Sequence, residues 1–146
     1  MHQQLGRDIK FSAILIDGLA AGTDDTTNGA SVDMAGYEGV IFVAVVGDVT
    51  ATGVYTLHVE TSSDDSTFND LEGTSTTKTT GDSDELLISE IHKPRERYLR
   101  PVQARATANI ITGGVFAIQY GPAKTPVTQD TTVTIEHHVS PAEGTI

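Results

Sequence analysis

Val40 to Val46 reads VIFVAVV, an unbroken apolar run that ends at Gly47. Seven residues are far too few for the roughly 20 that a membrane-spanning helix needs. As a strand, the run is apolar on both faces, which predicts a central strand covered on both sides, by an opposite sheet or by a neighbouring subunit. The next apolar segment, Tyr55 to Glu60, alternates instead: Tyr55, Leu57 and Val59 point one way, and Thr56, His58 and Glu60 the other. That is the pattern of a sandwich strand with one dry and one wet face. A Ser/Asp-rich turn follows in Thr61 to Ser66.

Working outward in both directions, the period stays at 2, and Gly, Thr, Ser, Asn and Asp interrupt it at short intervals. Upstream lie a strand over Ile9 to Ile16, with Ile9, Phe11, Ala13 and Leu15 on one face, a turn-rich stretch from Asp17 to Gly29, and a short strand near Ala30 to Asp33. Downstream come a short strand at Thr67 to Leu71 and the stretch GTSTTKTTGDSD, Gly73 to Asp84, read as a loop or edge hairpin. Strands at Glu85 to Ile91, Tyr98 to Ala106 and Val115 to Tyr120 complete the set, with Phe116, Ile118 and Tyr120 facing inward. About eight strands make an all-β sandwich of the jelly-roll kind.

After Gly121 the character changes, because Pro122, Pro126 and Pro141 flank a single alternating stretch, Thr132 to Val139. The expected organisation is a sandwich domain over residues 1–121 and a Pro-containing C-terminal arm over 122–146. The arm carries one extra strand that pairs with its own domain or with the sheet edge of a neighbour.

With 146 residues the chain can bury a core without disulfides, and it has no cysteine, which excludes thiolate chemistry and Cys-ligated zinc. A net charge of −11 repels phosphate backbones, so no direct nucleic-acid partner is expected. No apolar stretch suits a membrane span or a cleaved signal, and the expectation is a soluble, non-exported protein without a membrane partner.

His137 and His138 are adjacent and would point to opposite faces of a regular strand, His137 with Val133, Ile135 and Val139, and His138 with Thr132, Thr134 and Glu136. They do not chelate one ion in that geometry. Asp64, Asp65, Asp70 and Glu72, and likewise Asp82, Asp84 and Glu85, are oxygen donors of the kind calcium accepts, but they lack the spacing of a known calcium loop and read as solvated acidic turns. Neither a G-x-S-x-G elbow nor a Gly-rich phosphate loop occurs. The reading is of no enzyme, no catalytic residues, no cofactor and no metal site.

One local feature stands against the acidic background. Lys93, Arg95, Arg97, Arg100 and Arg105 put five of the nine basic residues in a window of thirteen. They read equally as edge-strand charges that block sheet aggregation, balanced by Glu90 and Glu96, and as a docking patch for an acidic surface.

The segment Asp33 to Leu71, DMAGYEGVIFVAVVGDVTATGVYTLHVETSSDDSTFNDL, together with RYLRPVQARAT at Arg97 to Thr107, resembles small head-associated structural proteins of tailed phages, the capsid decoration or cement proteins. That resemblance implies a non-enzymatic β-sandwich, a homotrimer bound to the major capsid protein on the outer surface of the virion. Two alternatives share the all-β class. One is a glycan- or host-binding sandwich at a fibre tip, for which Tyr37 and Phe68 are the only outward aromatics, Tyr55, Tyr98 and Tyr120 being read as inward. The other is a neck or tail ring component.

Overall fold

The computed structural model describes residues 5–15, 25–79, 83–140 and 142–144. Apart from one helical turn, α1 (Leu5–Asp8), its regular elements are strands: β1 (Lys10–Leu15), β2 (Asp25–Asn28), β3 (Val32–Asp33), β4 (Gly39–Val49), β5 (Val54–Ser62), β6 (Asn69–Asp70), β7 (Thr76–Lys78), β8 (Glu85–His92), β9 (Tyr98–Ala106) and β10 (Ile110–Tyr120). All pairings are antiparallel. One sheet runs β1-β10-β4-β8, and the other runs β2-β9-β5-β6, with β3 also on β9 and β7 also on β5.

The ten segments fill eight positions, because β2 and β3 share one flank of β9, and β6 and β7 share one flank of β5. Numbered along the chain, the positions run 1-8-3-6 in one sheet and 2-7-4-5 in the other. Every connection except that from the fourth to the fifth crosses between sheets, which is the jelly-roll order. The split between β2 and β3 has a local cause. Asn28 pairs with Val102 and Val32 with Leu99, so three residues lie opposite Arg100 and Pro101. Pro101 has no N–H for a ladder, and its carbonyl instead accepts the Gly29 N–H at 2.8 Å.

The core lies between the sheets. From β4 come Val40, Phe42, Ala44 and Val46, and from β5 come Tyr55, Leu57 and Val59, all fully buried. Large faces small across the first sheet: Phe42 pairs with Ala117 and Ala44 with Val115. The alternation expected for Tyr55 to Glu60 is the one observed.

Several expectations change. Phe116, Ile118 and Tyr120 face out, because Val115, Ala117 and Gln119 stand opposite the inward residues of β4. Phe11 and Ala13 pair with Ile118 and Phe116 and follow them outward, leaving Ser12 and Ile14 buried. Tyr98 also faces out, since it alternates along β9 with the buried Leu99 beside it. Within the stretch expected to be turn, Asp25–Asn28 is strand, and residues 16–24 lie outside the described residues.

The arm carries no strand at Thr132 to Val139. It packs on its own domain instead. The Val127 N–H donates to the Arg7 carbonyl at 2.9 Å, and the Gln129 carboxamide binds the edge of the sheet at β1. Its Oε1 accepts the Phe11 N–H at 2.9 Å, while Nε2 donates to the carbonyls of Ile9 (2.8 Å) and Gly6 (3.1 Å). One side-chain amide thus satisfies edge groups that a paired strand would otherwise take.

A candidate docking surface

The outer face of the four-stranded sheet is apolar where a jelly roll exposed to water would be polar. Register places Val43 and Val45 of β4 beside Ile88 and Leu86 of β8, and Phe116 of β10 opposite Val43. Leu86 is 57% exposed and Ile88 53%, and Val45 and Phe116 are 37% each. On the other flank of this face, Val133 and Ile135 of the arm line an open cleft together with Phe11, Ala13 and Phe116. The most exposed part lies on β8, an edge strand of the sheet. Contiguous exposed apolar side chains on a rigid sheet mark an interaction surface more often than a solvated one.

The basic residues do not assemble into one surface. Arg105 belongs to the inward face of β9 and is only 6% exposed. Its Nη2 donates to Asp25 Oδ2 at 2.8 Å and its Nη1 to the Ile110 carbonyl at 3.0 Å. Arg100 projects from the outer face of the second sheet, donates to Glu60 at 2.6 Å, and lies 4.1 Å from the centroid of the Phe68 ring. Arg97 makes a two-pronged pair with Asp33 (2.9 and 2.8 Å) beside the Tyr98 ring. Lys93 and Arg95 share the β8–β9 turn with Arg97 and Glu96. The window that looked basic in sequence is thus divided between core, sheet face and turn. Because Phe68 and Tyr98 each carry a guanidinium against the ring, neither offers the open aromatic platform that sugar binding uses.

The acidic turn at Asp64 is closed by its own backbone. Asp64 Oδ1 accepts the N–H groups of Ser66 (3.0 Å) and Thr67 (2.9 Å) and the Ser62 hydroxyl (2.9 Å). These donors hold its carboxyl well below the usual carboxylate range. The Arg97 pair lowers the pKa of Asp33, and the Thr132 N–H and hydroxyl lower that of Asp130. A carboxylate whose pKa is depressed on folding contributes stability that is complete above its unfolded pKa and is lost as the pH falls through that value toward the folded one. Thermal melts are therefore expected to hold from pH 7 to about 5 and to drop below pH ~4, the ordinary Asp range. A midpoint unchanged at pH 3 would contradict these three assignments.

Tyr120 lies over Gly39 on the outer face, donates to Glu90 at 2.5 Å and stacks on His92. Burial, and then the Glu90 carboxylate, push its phenol up to about 12, so it stays protonated and structural at neutral pH. In the arm, Glu136 and His138 meet at 3.1 Å, while the His137 ring lies by Gly6. Asp82 lies outside the described residues.

Sequence reading missed one grouping. His58, Glu60 and Asp70 each bring a ligand atom within 4.8 Å of the others on the outer face of the second sheet. Alternation along β5 does place His58 and Glu60 together. Asp70 joins them only through the β5–β6 register, in which it pairs with Glu60.

No family model matches the chain, and no curated protein does either. Among solved structures, the chain is similar to the crystal structure of the PBSX exported protein XepA, with a TM-score of 0.57 and 12% identity over 96% of this chain. The match spans 46% of the XepA chain, so the two share a fold over somewhat less than half of the longer molecule.

Proposed function

We propose that this protein is a non-enzymatic structural component of a phage particle that decorates or cements the capsid. In this reading it bridges adjacent major capsid subunits as a homotrimer on the outer surface, without contact to nucleic acid or membrane. The observation that carries the reading is the exposed apolar face of Val45, Leu86, Ile88 and Phe116, set on a rigid sheet rather than in a loop. The shared fold with XepA, a phage-related protein, and the resemblance of Asp33 to Leu71 to phage head proteins give the surface its context. Among the described residues no helix is long and apolar enough to cross a membrane, and the charge of −11 disfavours a nucleic-acid partner.

A clamp of this kind works by multivalency. Each contact is modest, but a trimer engaging several subunits at once separates only when all contacts break together. Mixing the purified protein with undecorated phage capsids, after its mass has been measured by light scattering, tests the reading. The expected result is a trimer that adds density over the shell. A Leu86→Asp/Ile88→Asp double variant is expected to fold normally and to bind at least about 100-fold more weakly, because each carboxylate would have to leave water on docking. Bare capsids with the parent protein, or equal binding by the variant, would overturn it.

A further inference from the structure

We infer that His58, Glu60 and Asp70 form a divalent-metal site of the zinc type on the outer face of the six-stranded sheet. The backbone makes the grouping. His58 and Glu60 are two residues apart on β5 and so share a face, and Asp70 of β6 is the cross-strand partner of Glu60. Two carboxylates directly opposite one another repel, and the fold leaves them there.

Zinc binds imidazole nitrogen and carboxylate oxygen at about 2.0–2.2 Å, which places neighbouring tetrahedral donors about 3.4 Å apart. His58 Nε2 and Asp70 Oδ1 are 3.3 Å apart, already at that spacing. All three donors fall within 4.8 Å of one another, and Asp70, with 79% of its side chain exposed, can rotate to close the remainder.

Arg100 occupies one oxygen of Glu60, Oε2, at 2.6 Å. A carboxylate has a second oxygen, and ligating carboxylates are commonly oriented by such outer hydrogen bonds. Arg100 is itself held against Phe68, so Glu60 is the fixed wall of the site and Asp70 the movable one. With a neutral imidazole, two carboxylates and one guanidinium leave the cluster one negative charge that a cation would neutralise. Binding would staple the short β6 to β5 and complete its coordination with water.

Isothermal titration of the full chain with zinc chloride at neutral pH, followed by melts with and without the metal, tests the site. One equivalent is expected to bind and to raise the melting temperature, since only the folded chain holds the donors together. His58→Ala and Asp70→Asn, each checked for native circular dichroism, are expected to weaken binding at least about 10-fold and to abolish the shift. An absence of binding by the parent protein would overturn the inference. So would binding that both variants retain, which would place the ion elsewhere, for example at His137 or His138.

Discussion

Phe42→Ala is expected to lower the unfolding free energy by about 3–5 kcal/mol, whereas Phe116→Ala lowers it by only about 1 kcal/mol. The two phenylalanines sit on neighbouring strands and differ in face. Phe42 is fully buried between the sheets, beside Ala117, and truncating it leaves a cavity that two rigid sheets cannot close. Phe116 points the other way, is 37% exposed and borders an open cleft, so water takes up the space. For a domain of this size the first change corresponds to a melting temperature lower by roughly 10 °C. Equal losses at the two positions would mean that the faces of β10 are assigned the wrong way round.

Asp25→Ala is the second large effect, at about 3 kcal/mol, although Asp25 lies near the surface. The loss comes from its partner. Arg105 is 6% exposed on the inward face of β9, and removing Asp25 leaves a buried guanidinium without its carboxylate. The pair also ties β2 to β9 at a register position, Asp25 opposite Arg105. Arg95→Ala, in the turn, is the control and is expected to change stability by less than about 0.5 kcal/mol. Chemical denaturation of the three proteins measures both. If Asp25→Ala were as neutral as the control, the ion pair would not be holding the edge of the second sheet.

The contrast between Arg95 and Arg105 shows why a basic window in sequence does not by itself define one surface. Charge is visible in sequence, but the face a charged residue takes on a strand depends on register. Tyr55 pairs with Arg105, so the arginine shares the face of a buried tyrosine. The local pattern Leu99, Arg100, Pro101, Val102, Gln103 has no clean polar alternation from which that could be read.

The all-β class, the positions of the long strands and the inward face of Tyr55, Leu57 and Val59 follow from the amino-acid pattern alone. A period of 2 with one polar face has a single low-energy orientation, because a slip of one residue would bury His58 and Glu60 and expose three apolar side chains. The face of β10 depends on packing against the rest of the fold, since Val115 and Ala117 compete there with Phe116 and Ile118, and both sets are apolar. The outcome rested on space: alanine at 117 admits Phe42, and Gln119 can turn inward because its amide donates to the Asp33 carbonyl at 2.7 Å. The same holds for Thr132 to Val139, whose alternation suited a strand but whose place at the edge of β1 is taken by the Gln129 side chain. Periodicity is a property of one segment, whereas face, pairing and exposure depend on what the rest of the chain places against it.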